Sequence, residues 1–455
     1  MTVLSRRGFA TAGLAATGAV VAGPVAAQGV SFGELRGGLD AAAEGVRPDA
    51  SGDQSGAFRR LLAKASDGNH PILLGPGAYF FADIELPART RLSGVAGATR
   101  ILMTGGSLFS ARGAERVELR GLVLDGVGRP LGGGRRALLD IAGVSELDVV
   151  DCRFENSGGI AIALDTVSGR IERCAISGAA DTAIYAVDSR GLAIAGNAVA
   201  DCGNGGILVH RRQPGEDRTL VSGNRIERIR ADNGGTGQWG NGINVFRAGG
   251  VVVSGNIISD CAFSAIRSNG GSNVQISGNQ CLRSGETGLY SEFIFEGALI
   301  ANNVVDGAAN GISAVNFNEG GRLAVISGNL VRNLSTTGPY PADAPGFGVG
   351  ITVEADTVAS GNVVENAPLY GMHLGWGPYL RNVVATGNMI RNSAEGIAVT
   401  VVEGAGSAVI SDNIISGAQR GAIVGHRWKE AASGDLAAAG AARFKHLSIS
   451  GNLAS

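Results

Sequence analysis

Residues 251–290 read VVVSGNIISDCAFSAIRSNGGSNVQISGNQCLRSGETGLY. Ser254-Gly255-Asn256 returns as Ser277-Gly278-Asn279, and about nine residues after each Asn comes a small residue followed by Ile or Leu. The same Asn runs through Asn197, Asn224, Asn256, Asn279, Asn303, Asn329, Asn362, Asn388, Asn413 and Asn452, with gaps of 27, 32, 23, 24, 26, 33, 26, 25 and 39 residues. A period in the twenties with longer copies describes one unit repeated with insertions. Around each Asn the text is apolar-x-apolar-Ser-Gly-Asn-x-apolar, as at 325–331, and a second short segment follows, such as Gly311-Ile312-Ser313-Ala314. Alternation with period two, Val and Ile enrichment and Gly/Asn punctuation make these short strands.

Strands this short cannot bury a core through hairpins, and no two-residue Asn-Gly hairpin turn separates them. Stacked coils bury one, because each strand pairs with its equivalent one period away around a continuous interior. The Gly-Asn pair suits the corner: both residues tolerate left-handed backbone, and stacked amides can bond from coil to coil. The expected fold is all-β, a right-handed parallel β-helix of roughly 10 to 13 coils.

Two segments precede the repeats. Residues 1–27 hold Ser5-Arg6-Arg7-Gly8-Phe9, an uncharged Ala/Gly/Val run, and Pro24-Val25-Ala26-Ala27. Paired arginines, a modest apolar stretch and a small-residue cleavage site make a twin-arginine export signal, so the expected partner is that export machinery and the expected location is periplasmic or secreted. The run is too rich in Gly and Ala for a stable membrane span. Residues 28–97 read as an N-terminal cap with the first strands, and 98–455 as the repeats. Within the cap, Asp53 is the expected N-cap of a helix carrying Ala57, Phe58, Leu61 and Leu62 on one face, able to cover the open end of a solenoid.

Here the sequence resembles a family. Gly45-Val46-Arg47-Pro48-Asp49, Asp53, Ala57-Phe58, the run Ile72 to Tyr79 and Leu92-Ser93-Gly94 look like the cap and first coils of pectate-lyase-like β-helix proteins. With its signal and its Ser-Gly-Asn coils, the chain is similar to exported repetitive proteins of that superfamily without assigned activity. The resemblance is specific for architecture and weak for chemistry. It implies a coil of three strands in which the Gly-Ile strand forms a sheet whose outer face carries a substrate groove.

Composition fits an exported solenoid. Gly is 74 of 455 residues, charged residues are 17%, net charge is −2, and the only lysines are Lys64, Lys429 and Lys445, which argues against nucleic acid or an anionic membrane as partner. Cys152 and Cys174 fall where Asn sits in later coils, close enough to permit a disulfide. Core thiols are the preferred reading, because Cys202, Cys261 and Cys281 also take repeat positions that elsewhere hold apolar residues. There is no Cys-x-x-Cys or His pair at ligand spacing, hence no expected metal or cofactor.

The insertions fall on both sides of the Gly-Ile strand. Residues 210–219, 316–321, 375–381 and 427–445 follow it, while 229–240 and 333–347 precede it, as walls of a cleft would. Setting Ile243, Ile266, Leu289, Ile312, Ile351, Met372, Ile397 and Ile423 inward points the residues one and three places later outward. One row is then Asn244, Arg267, Tyr290, Ser313, Thr352 and His373; the other is His210, Phe246, Asn269, Glu292 and Glu354. Adjacent coils are about 4.8 Å apart. Such a face suits an oligosaccharide: hydrogen-bond partners for hydroxyls, a guanidinium for a uronate, and rings for stacking, to which Trp239 and Trp376 add from the loops.

Two functions follow, from different classes. An enzyme acting on a polysaccharide would use Arg267 to neutralise a uronate and Tyr290 or His373 to exchange protons, or, for hydrolysis, Glu292 with Glu354, two coils or about 9.6 Å apart. A non-catalytic glycan-binding or envelope scaffold would need only the groove. The chain lacks the Asn-Thr-Asp, Gly-His-Gly and Arg-Ile-Lys set of polygalacturonases, the Asp-x-Asp calcium cluster of pectate lyases and the Asp-Pro-His of alginate epimerases, so the family's known reactions have no direct support in the residues.

Overall fold

The computed structural model describes residues 37–455, a parallel β-solenoid of about 14 turns. The proposed signal at 1–27 lies outside the described residues. Each full coil has three strands, as in Val252–Ser254, Ile257–Cys261 and Ile266–Asn269. The first of these belongs to a sheet of 16 strands. The other two walls merge into one sheet of 26 strands, because long strands such as Val363–Leu374 and Met389–Thr400 turn the corner without a break. Pairing between coils is parallel and in register, for example Ile243 with Ile266 and Ile266 with Leu289.

Register places the core where alternation puts it. Ile243, Ile266, Leu289, Ile312, Ile351, Met372, Ile397 and Ile423 are all fully buried, each worth about 1.5 to 3 kcal/mol relative to exposure. The residue before the inward Ile is so often Gly for lack of space. A Cβ on Gly311 would run into the carbonyl of Gly350 in the next coil, and one on Gly350 into that of Gly371.

The ten asparagines form one continuous ladder inside the corner. Asn256 donates from Nδ2 to Asn279 Oδ1 at 2.9 Å and to the Val221 carbonyl at 3.0 Å, while its backbone N–H also donates to Asn279 Oδ1 at 3.0 Å. The left-handed residue of the corner is the one before Asn and never Asn itself: Gly255 has φ 64° and Gly328 φ 65°, and where Gly is missing Asn302 and Asp412 take φ 58° and 57°. Of the two residues that tolerate that conformation, only the first adopts it. Upstream, Cys174 N–H donates to Asn197 Oδ1 at 2.9 Å, so Cys174 and Cys152 continue the corner as unbridged, buried thiols.

Both ends are covered. The helix Ser55–Gly68 buries Phe58, Leu61, Leu62 and Ala65, and Phe58 stacks on Phe81 with ring centroids 4.3 Å apart. Its N-cap is Gln54 rather than Asp53, whose carboxylate instead accepts from Ser55 N–H at 2.7 Å and from Thr104 Oγ1 at 2.6 Å. At the other end the chain makes its antiparallel hairpin, Ile423–Arg427 with Glu430–Asp435, followed by the short helix Leu436–Ala439. Among the described residues, no helix is long and apolar enough to cross a membrane.

Candidate binding groove

The outward row of the Gly-Ile sheet is continuous: Leu208, Asn244, Arg267, Tyr290, Ser313, Thr352 and His373 are neighbours from coil to coil. Two residues further along, His210, Phe246, Asn269 and Glu292 make the second row. Upstream, Tyr185 stands opposite Leu208, so the face begins one coil earlier than the sequence reading placed it. The same alternation applied to Thr182–Val187 would have found it.

Two adjoining pockets open on this face. The larger, about 520 Å³, gathers His210, Trp239, Asn244, Phe246, Arg267 and Asn269 of the expected residues and adds Tyr185 and Phe293. Its floor is aromatic: Tyr185 meets His210 edge-on at 5.2 Å between centroids, and His210 lies 5.4 Å from Phe246. The loop before Asn241 supplies one wall through Gly237, Gln238 and Trp239. The smaller pocket, about 220 Å³, gathers Tyr290, Glu354, His373 and Trp376 and adds Tyr340, Asp343 and Phe347 from the 333–347 loop. Two expected walls do different work. Residues 210–216 extend the strand Gly205–Glu216 and pair with Asn241–Gly249, and 427–445 closes the C-terminal end.

Arg267, the expected carboxylate anchor, is held between two carboxylates of the protein itself. Its Nε donates to Glu292 Oε1 at 2.6 Å, its Nη1 lies 3.6 Å from Glu286 Oε2, and the guanidinium faces the Tyr290 ring at 5.2 Å. Arg267 is 9% exposed, Glu286 1% and Glu292 2%. Glu286 also accepts from Tyr340 Oη at 2.6 Å and Ser264 Oγ at 2.9 Å, which pins the 333–347 loop to the face. Glu292 additionally accepts from Asn269 Nδ2 at 2.9 Å and lines neither pocket, whereas Glu354 lines the smaller one. Sequence distance hid this arrangement, since Glu286 and Tyr340 are 54 residues apart.

Burial sets the charge states. It pushes the His210 imidazole down to about 4, with Asn244 offsetting a little, and His373 down to about 3, with His426 adding to the effect. Both rings are therefore neutral at pH 7. Burial also lifts the Glu354 carboxyl to about 7, against a backbone hydrogen bond from Phe317 at 2.7 Å. Glu292 is raised by burial too, the Arg267 charge opposing. In the larger pocket three buried polar atoms have no hydrogen-bond partner among the described residues: His210 Nε2, Asn244 Oδ1 and Arg267 Nη1. Buried polar atoms are rarely left so.

Known proteins place the fold. The tailspike protein of E. coli bacteriophage HK620, solved in complex with a pentasaccharide, is similar over 84% of this chain and 76% of its own, at 13% identity and TM-score 0.53. The N-terminal fragment of bacteriophage Phi29 gene product 12 is similar over 85% of this chain and 68% of its own, at 16% identity and TM-score 0.51. No curated protein matches the sequence. A family model described as the right handed beta helix region matches residues 134–237 and 215–380, which together span more than half of the 455 residues. With parallel coils, an internal Asn ladder and this match, the chain belongs to the right-handed β-helix family.

Proposed function

We propose that this protein binds an oligosaccharide or polysaccharide along the outer face of the Gly-Ile sheet, with the larger pocket as its main subsite. One observation carries the reading. His210 Nε2 and Asn244 Oδ1 are buried at a cavity walled by Tyr185, Trp239, Phe246 and Phe293 and have no hydrogen-bond partner among the described residues, an arrangement a sugar would complete with hydroxyls against polar atoms and C–H faces against rings. A pentasaccharide bound by a tailspike of similar fold agrees with a glycan as ligand. Calorimetric titration against a glycan panel tests it. Asn244→Ala should weaken binding of a recognised glycan by roughly 10- to 100-fold, the equivalent of losing one buried hydrogen-bond partner. If no glycan in a broad panel binds more tightly than millimolar, the reading fails.

A second reading, cleavage of the bound glycan, is favoured by Glu354. With a carboxyl near 7 it is about half protonated at neutral pH, as a group donating a proton to a leaving oxygen should be. Asp343 is the other carboxylate lining that pocket, in place of Glu292. The protonated fraction falls as pH rises, so turnover should be lost on the alkaline side through about pH 7. Glu354→Gln should abolish release of reducing ends while leaving affinity within a few-fold. A scaffold that only binds would release none at any pH.

We also propose export by the twin-arginine pathway to the periplasm or beyond, on the strength of Arg6-Arg7 and the Ala26-Ala27 cleavage signal. Mature protein should begin near Gln28, and replacing Arg6 and Arg7 by Lys should retain it in the cytoplasm. Unchanged fractionation of that double variant would refute the signal.

A further inference from the structure

Resting on the glycan-binding reading, we infer that the ligand is an uncharged glycan, recognised through hydroxyl or N-acyl groups and discriminated from uronate, sulfated or phosphorylated polymers by the two carboxylates that bracket Arg267. An acidic sugar needs a cation able to turn towards it in a partly dehydrated cleft. Among the described residues, Arg267 is the only Lys or Arg lining either pocket. Its charge is committed to Glu292 at 2.6 Å and Glu286 at 3.6 Å, so the three groups together carry one net negative charge when both carboxyls are ionised. Its Nη1 is buried beneath Gly237 in a site already more than neutralised, so it offers an acidic sugar no free charge.

The other ionisable liners point the same way. Asp181 in the larger pocket, and Asp343 and Glu354 in the smaller, are carboxyl groups, and the two histidines are neutral. Asp181 accepts from Asn204 Nδ2 at 3.1 Å and from Thr182 Oγ1 at 3.2 Å and has no basic partner among the described residues. Two guanidiniums at the aromatic end, Arg136 and Arg247, lie against the rings of Tyr185 and Phe246 at 5.9 and 4.7 Å and line neither pocket. A carboxylate laid along this face would meet acceptors and negative charge through most of its length. The bracket is also built rather than incidental, since Glu286 is fixed by Ser264 and Tyr340, and Glu292 by Asn269.

The experiment compares neutral and acidic glycans on the full-length mature protein. Titrations with neutral oligosaccharides (glucan, galactan, mannan and N-acetylglucosamine oligomers) are set beside oligogalacturonate, oligoalginate and a sulfated glycan, each at low and moderate salt. Expected is binding of at least one neutral series, with acidic series weaker on the order of 100-fold at low salt and less so as salt screens the repulsion. Acidic glycan binding as tightly as the neutral ones, and weakening with salt, overturns the inference and leaves glycan binding standing. Binding of neither class overturns both. A variant tests the cause: Glu286→Gln with Glu292→Gln, checked for folding by circular dichroism, should gain at least about tenfold affinity for oligogalacturonate by releasing the guanidinium. A folded double variant that rejects acidic glycan as strongly as the wild type would overturn the bracket as the discriminating device.

Discussion

Arg267→Ala is expected to lower stability at pH 7.5 by about 3 to 5 kcal/mol, the range for removing one partner of a buried ion pair. The substitution deletes the only cation found, among the described residues, beside two carboxylates that are 1% and 2% exposed. Glu286 would keep Tyr340 Oη and Ser264 Oγ, but Glu292 would keep only Asn269 Nδ2. Burial already raises Glu292 above its ordinary 4.5, and loss of the Arg267 charge would raise it further. For a carboxyl whose folded pKa lies above its unfolded value, stability is lost as pH rises from the unfolded value through the folded one. The deficit should therefore narrow as pH falls towards 4.5 and widen above it. Urea midpoints of wild type and variant across that window measure it. Adding Glu286→Gln and Glu292→Gln should restore much of the loss at pH 7.5, since neutral amides need no counter-charge. Equal midpoints for Arg267→Ala and wild type at pH 7.5 would show that the bracket does not depend on its guanidinium.

Asn329→Leu is expected to cost about 3 to 5 kcal/mol, because more than one buried polar group loses its partner at about 1 to 3 kcal/mol each. Asn329 Oδ1 accepts from both the backbone N–H and Nδ2 of Asn303 at 3.0 Å, and Asn329 Nδ2 donates to the Ile300 carbonyl at 3.0 Å and to Asn362 Oδ1 at 2.9 Å. Leu can replace none of these, and the Asn303 N–H is left in the interior without an acceptor. The corner itself survives, since its left-handed residue is Gly328. Asn452, the last ladder position among the described residues, is partly exposed and donates only to backbone carbonyls, so Asn452→Leu should cost markedly less. Thermal midpoints of the two variants decide the matter: equal, small losses would mean that the ladder contributes no more in the middle than at its end.

Much of the molecule was legible in the sequence because a β-helix repeats one local problem. The Ser-Gly-Asn corner, the inward Ile row and the outward order Asn244, Arg267, Tyr290, His373 all follow from period two along a strand and one coil per repeat. Those rules state which face a side chain takes. They do not state what lies over it. Arg267 points outward as alternation requires, yet it is buried, because the 229–240 loop folds across it so closely that Gly237 has no room for a Cβ. The same alternation makes Arg267 a groove cation on paper, whereas Glu286, Glu292 and a tyrosine from 54 residues beyond Glu286 make it an internal one. Insertion length likewise announces a departure from the coil without its direction: 333–347 walls a pocket, 210–216 prolongs a strand, and 427–445 closes the end. The sequence by itself therefore determined the coil, its corner and the residues on each face, since these depend on neighbours at fixed spacing. Only the tertiary structure decided which outward residues are covered, paired or open, since that depends on where loops of irregular length come to rest.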